Sequence, residues 1–393
     1  MDCPSGPGGI AVEKFSIVCL ASLAAAALAW ATLDVPAKAQ QPPAPPTPVP
    51  PQQAPQLPHK ADASFLKYSS DMNLGEILGV AVNSKGQILV LNHPGSANTG
   101  PIWMNSTTQL LLFGADGRFL KEIGKGVYGI AYSHQVRYDK NDNLWVVDKA
   151  ANTVIRFNPE GYVTMNLGRR EEGYHGLVEL PRQADARPNG GYMNGATDVG
   201  WDRDENIFVS DGYVNSRVAK FDKNGNFLKE WGSFGREQGQ FNLPHAMVLD
   251  REGNVYVADR NNSRIQVFDS NGTFKRMMYL NVPYPADYQP PFGAVNASRA
   301  VRDRTQPWAM CITNTTPQHM WVADNEPGRI YKMTLDGTIL GWIGSSGRQV
   351  GQFNWIHGLD CSQTDVLYVA DMNNWRVQRI TFPPQNNRTQ ASR

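Results

Sequence analysis

Between Asp62 and Phe382, short apolar runs alternate with polar, turn-forming clusters, and no helical period interrupts that alternation. Residues 198–232 show the unit most plainly. Three of its runs, residues 207–209, 218–221 and 227–231, have the length and the β-branched or aromatic content of strands. Polar clusters at 203–205 and 223–225 supply the turns between them. The same phrase recurs as NLWVVDKAANTVIRFNPEG, NIFVSDGYVNSRVAKFDKNG, NVYVADRNNSRIQVFDSNG, HMWVADNEPGRIYKMTLDG and VLYVADMNNWRVQRITF. Aligned on V-x-D, the copies share Asp148, Asp211, Asp259, Asp324 and Asp371, and a weaker first copy, QILVLNHPG, places Asn92 there. Six repeats of four strands predict an all-β, six-bladed β-propeller. The last copy stops after its third strand. An N-terminal strand at residues 64–68 is therefore expected to close the ring and cover the open edge.

Three insertions, at residues 94–107, 169–194 and 281–304, lengthen the connections between strands, where a rigid scaffold carries its functional loops. The N-terminus departs from the repeat. Residues 15–33 are almost wholly apolar and Ala37-Lys38-Ala39 offers a cleavage site, so residues 1–39 read as a signal peptide and the protein as secreted or periplasmic. If the segment is not cleaved, its length allows a membrane anchor. Residues 40–61 form a Pro/Gln-rich linker, residues 62–382 the propeller, and residues 383–393 a disordered tail.

A net charge of +1 without a basic run argues against nucleic acid as a partner, and the propeller is expected to be a monomer acting on a small molecule or a peptide. Cys311 and Cys361 are the two cysteines of the folded part. An oxidising compartment permits a disulfide between them, and two small buried thiols are the alternative.

The candidate chemistry lies at the start of the innermost strands. His134, His245 and His357 occupy one repeat position in the second, fourth and sixth copies, 111 and 112 residues apart. Alternate blades of a six-fold ring stand about 120° apart, so three imidazoles at one depth converge on the channel. Three histidines with one open position suit a catalytic zinc ion. His93 and His319 fall at other positions and read as ordinary residues.

At these residues the chain resembles the NHL-repeat proteins, and within them the peptidyl-α-hydroxyglycine α-amidating lyases. The motifs that carry the resemblance are Val209-Ser210-Asp211-Gly212-Tyr213 with Asn215-Ser216-Arg217, then Gly239-Gln240-Phe241-Asn242-Leu243-Pro244-His245, then Val257-Ala258-Asp259-Arg260. The resemblance implies that His134, His245 and His357 hold Zn2+, that Tyr213 lies beside it as catalytic base, and that Arg260 lines the pocket. The implied reaction splits an α-hydroxyglycine peptide into an amide and glyoxylate, with zinc acidifying the substrate hydroxyl.

Three positions depart from the family pattern. Pro94 stands where the lyases carry an arginine, Trp355 where they carry a methionine, and Gly358 where they carry an acidic calcium ligand. Arg137, Arg169, Arg170 and Arg182 are candidates for a substitute cation. Two other functions compete. One is a non-catalytic propeller that binds a protein, peptide or glycan. The other is a lactonase-type hydrolase, which the histidines at the centre count against.

Overall fold

The computed structural model describes residues 50–95, 107–170, 190–284, 305–324 and 328–384. The leader, most of the three insertions and nearly all of the tail lie outside the described residues. Those described form six four-stranded antiparallel sheets. The innermost strands are Glu76–Val82, Ser133–Tyr138, Ala196–Trp201, Pro244–Leu249, Pro307–Ile312 and Ile356–Asp360. Each meets the next in chain order, and the sixth meets the first. The fold is a closed six-bladed propeller.

Burial falls from the axis outward, which accounts for the strand composition. The second strand of blade four, Val255–Asp259, is buried at every position, whereas the outer strand of blade three, Phe227–Trp231, is exposed or half-buried throughout. A strand covered on both faces reads as a continuous apolar run, whereas one facing water does not. The core is a series of layers between blades. Phe208 and Val218 of blade three, for example, pack on Met247, Val257 and Phe268 of blade four.

The recurring aspartate holds the frame. The Oδ1 atoms of Asp211, Asp259 and Asp371 accept the backbone N–H of Asn194, Asn242 and Asn354 at 2.9, 2.7 and 2.7 Å. Their Oδ2 atoms accept Nε–H from Arg217, Arg264 and Arg376 at 3.0, 2.7 and 2.9 Å. A buried carboxylate thus joins the approach to the first strand to the start of the third.

Closure differs from expectation in its residues. The strand that completes blade six is Lys60–Asp62, with Lys60, Ala61 and Asp62 opposite Thr381, Ile380 and Arg379. Asp62 and Arg379 form an ion pair at 2.9 Å. Residues 64–68 are not that strand. Phe65 is instead buried in the layer between blades six and one, 5.7 Å from the Tyr368 ring, and Lys67 bridges to the outer edge of blade one at Arg118. The ring is worth more as a wedge in that layer than on an edge strand. Upstream, Leu57 N–H donates to Trp342 O at 2.8 Å and Trp342 N–H to Pro55 O at 3.0 Å. The end of the Pro/Gln-rich segment therefore lies along the outer strand of blade five. Cys311 and Cys361, on blades five and six, are joined as a disulfide with Cα atoms 6.0 Å apart.

Candidate metal centre

Each of the three histidines is the second residue of its inner strand or its near equivalent, and each is buried. Their ring centroids lie 4.6, 4.7 and 5.1 Å apart, and the candidate ligand atoms all fall within 4.8 Å of one another. Among the described residues no other cluster of three or more such side chains does so. The imidazoles are oriented identically. His134 Nδ1 donates to Thr197 O at 2.7 Å, His245 Nδ1 to Trp308 O at 2.8 Å and His357 Nδ1 to Leu78 O at 2.9 Å. A carbonyl only accepts, so each Nδ1 carries the hydrogen and each Nε2 presents its lone pair. Every one of these carbonyls belongs to the inner strand of the next blade.

The rings stay neutral. Burial holds His134 and His245 well below the ordinary imidazole range, and it holds His357 down to about 3. Neighbouring charge from the other histidines, Lys149 and Arg260 adds to the effect. The buried Nε2 of His245 has no hydrogen-bond partner among the described residues. An orphaned lone pair in a set of neutral, pre-oriented imidazoles fits a divalent transition metal ion.

Tyr213 arrives from blade three. Its hydroxyl donates to His134 Nε2 at 3.2 Å, and its ring lies 5.4 Å from that of His134 and 6.2 Å from that of His245. Two glycines permit the close packing around it. A Cβ on Gly212 would stand 1.9 Å from Pro244 O, and Gly195, at φ +76°, would place one 2.5 Å from Tyr213 Cβ.

In blades two, four and six the residue after the repeat aspartate is tied to the approach to a histidine. Lys149, Arg260 and Met372 donate their backbone N–H to Tyr132, Leu243 and Trp355, each two residues ahead of a histidine. Leu243 and Trp355 take φ +64° and +70° there, a sharp bend that stores strain beside the centre. Arg260 lays its guanidinium over Trp308, 3.6 Å from the ring centroid, and that ring stands 4.8 Å from His245. Lys149 Nζ sits 4.0 Å from the Tyr213 ring centroid and 5.5 Å from that of Tyr132.

The NHL repeat model matches residues 241–268. Peptidyl-glycine alpha-amidating monooxygenase of Mus musculus is 30% identical over 218 residues, covering 50% of this chain and 21% of that protein. Peptidyl-alpha-hydroxyglycine alpha-amidating lyase 1 of Drosophila melanogaster is 27% identical over 235 residues, covering 52% of this chain and 40% of its own length. NHL repeat-containing protein 3 of Homo sapiens is 29% identical over 204 residues, covering 50% of this chain and 53% of its own. The chain is a six-bladed propeller that carries an NHL repeat at residues 241–268 and resembles the amidating lyases over about half its length. It spans less than a quarter of the amidating monooxygenases it matches. Among solved structures, virginiamycin B lyase from Staphylococcus aureus has a TM-score of 0.51 at 12% identity, with 83% of this chain and 100% of that one aligned. The auxiliary nutrient binding protein from Bacteroides ovatus has a TM-score of 0.53 at 12% identity, with 83% and 77% aligned. At that identity the likeness is one of fold.

The three positions at which the sequence is expected to depart from the lyase pattern can be placed. Pro94 is exposed, and Trp355 packs edge-on against Trp308 at 5.2 Å. A Cβ on Gly358 would lie 2.9 Å from Gly79 Cα and Leu78 O, so an acidic side chain has no room there as the blades now stand. Of the arginines considered as substitutes, Arg137 is committed to Asp198 through two contacts of 2.6 Å. It lines a cavity of about 270 Å3 formed by the later halves of the inner strands, away from the histidines. Arg170 donates to Tyr128 O, and Arg182 lies outside the described residues. The basic side chains whose charge reaches the histidines are Lys149 and Arg260.

Lys149 and His93 are the residues that sequence reasoning missed. His93 ends the second strand of blade one, buried 4.2 Å from the Tyr132 ring, and it is close enough to disfavour protonation of His357. The available signal was their place directly after the repeat aspartate or its Asn92 equivalent, a position shared with Arg260.

Proposed function

We propose that this protein is an exported, zinc-dependent lyase that cleaves an α-hydroxyglycine-type substrate to an amide and glyoxylate. The observation that carries the reading is the triad of neutral histidines with one protonated pattern, bordered by the hydroxyl of Tyr213. His134, His245 and His357 would hold zinc through Nε2. Bound there, the ion supplies Lewis acidity to a substrate oxygen.

The remaining chemistry falls to side chains of this chain. As the substrate C–N bond breaks, the hydroxyl hydrogen leaves oxygen, a carbonyl forms, and the amide nitrogen gains a proton. No water and no redox partner are consumed. Tyr213 is within reach to take the first proton and return one to nitrogen. Arg260, stacked on the indole of Trp308, is suited to stabilise the negative charge that develops on the substrate oxygen as its proton leaves. Export is supported by the apolar leader with its Ala37-Lys38-Ala39 site and by the Cys311–Cys361 bond, which suits an oxidising compartment.

The test is to supply the zinc-loaded full chain with a short α-hydroxyglycine peptide and measure glyoxylate. Turnover that follows zinc content is expected. An occupied metal site without detectable glyoxylate would overturn the lyase assignment and favour a binding propeller.

A further inference from the structure

The mouth of the histidine triad is electropositive before any metal enters. All three imidazoles give their Nδ1–H to neutral backbone carbonyls. Many metal-bound histidines hydrogen-bond a carboxylate, which offsets part of the ion's charge. None of the three does so here. With the imidazoles neutral, the charges that bear on them are those of Lys149 and Arg260, and no carboxylate stands among the leading influences. A divalent ion would add two further positive charges, and balance has to come from what binds.

The two permanent cations are held differently. Arg260 lies flat on Trp308 at 3.6 Å. The ammonium of half-buried Lys149 meets the faces of Tyr213 and Tyr132 and, among the described residues, makes no ion pair or hydrogen bond. An ammonium ion removed from bulk water with only π-faces beside it keeps unused N–H donors. Its backbone is fixed by the N–H bond to Tyr132 O at 3.2 Å, so the side chain starts from a rigid point two residues from His134. Glu76, the acid in contact with Tyr132, receives that residue's hydroxyl at 3.3 Å.

We propose that Lys149 is a substrate-positioning residue that selects ligands carrying a carboxylate beside a hydroxyl, pairing with the carboxylate while the hydroxyl faces the triad. This rests on the lyase reading for its location and adds to it the residue that sets the substrate class. A neutral ester or amide of the same skeleton would leave the Lys149 ammonium without a partner. Discrimination therefore arises at this one position more than from shape.

The experiment uses two probes without a scissile C–N bond at the hydroxylated carbon, phenyllactate and phenyllactamide, titrated calorimetrically into the zinc-loaded full chain. Wild-type protein is expected to bind the carboxylate at least about tenfold more tightly than the amide. Lys149→Met should weaken the carboxylate by about 10- to 100-fold and change the amide by less than about twofold, as loss of a charge-assisted contact does. Lys149→Arg should restore most of the preference. Zinc content, measured in parallel, should be equal in all three proteins.

Equal weakening of both probes in Lys149→Met would mean that the side chain merely supports Tyr213, and would overturn the proposal. So would an unchanged carboxylate affinity, or a wild-type protein indifferent to the two probes. Carboxylate selection dependent on Lys149, in a protein that releases no glyoxylate from an α-hydroxyglycine peptide, would uphold the anion site and overturn the lyase reading alone.

Discussion

The hydroxyl of Tyr213 on blade three lies 3.2 Å from Nε2 of His134 on blade two. That nitrogen is the one left with a lone pair once Nδ1 carries the hydrogen it donates to Thr197 O. The phenol therefore stands at the ligand side of the triad. Tyr213→Phe is expected to lower turnover of an α-hydroxyglycine peptide by about 10²–10⁴, the range for a positioned acid or base. Arg260→Lys keeps the charge and loses the planar stack on Trp308, so its loss should be smaller. Glyoxylate assays at matched zinc content decide the order. An undiminished phenylalanine variant would remove the tyrosine from the chemistry.

Metal analysis should return one zinc ion per chain, and His134→Ala, His245→Ala and His357→Ala should each lower that occupancy sharply. A chelator should reduce the melting temperature of the wild-type protein by an amount that grows with free zinc in the reference sample, since a ligand of the native state stabilises by mass action. In the alanine variants the chelator should have little effect. A wild-type protein that melts identically with and without zinc would argue against the centre.

Acid sensitivity should include a share from His93. Burial holds this imidazole down to about 4 against an ordinary value of 6.5, with the charge of Lys149 contributing. The folded state thus binds the proton less readily than the unfolded chain. The stability of the neutral form is complete above pH 6.5 and declines as pH falls from 6.5 towards 4. His93→Gln removes this component, and the drop in melting temperature between pH 7 and 4.5 should shrink by roughly 3 °C or more. The same drop in both proteins would clear His93 of the effect.

Ring closure gives a prediction about truncation. A chain beginning at Pro48 keeps the contacts of Leu57 with Trp342 and the strand Lys60–Asp62, and it should melt with the full-length protein. A chain beginning at Ser64 keeps the Phe65 wedge but loses the fourth strand of blade six. Its melting temperature should fall by several degrees, and it should associate through the bared edge of Arg376–Thr381. Light scattering and thermal melts of the two chains separate these outcomes.

The six blades were legible because each buried strand leaves a β-branched run, and each buried Asp–Arg pair leaves a repeat mark such as Asp259 and Arg264. The triad was legible for the same reason, as one repeat position filled by histidine in alternate copies. Lys60–Asp62 was not, since a three-residue edge strand with a charge at each end carries no apolar signal, whereas Phe65 and Leu66 imitate one. Lys149 and His93 were hidden differently. Their position bears on the site through the backbone bond or pairing of the aspartate-following residue, and its contents, histidine, lysine, glycine, arginine and methionine among the described copies, show no common chemistry along the chain.

The bond from His357 to Leu78 has a wider meaning than the orientation of one ring. It spans the seam where the last blade meets the first, 279 residues apart in sequence. The other two ligands are likewise steered by a neighbour's carbonyl, so no isolated blade possesses a finished ligand. A capacity for metal at this triad would be a property of the circle, acquired at the moment it shuts. Zinc uptake during refolding would consequently time ring completion, and an ion once held would act as a latch on the seam, slowing its opening from within.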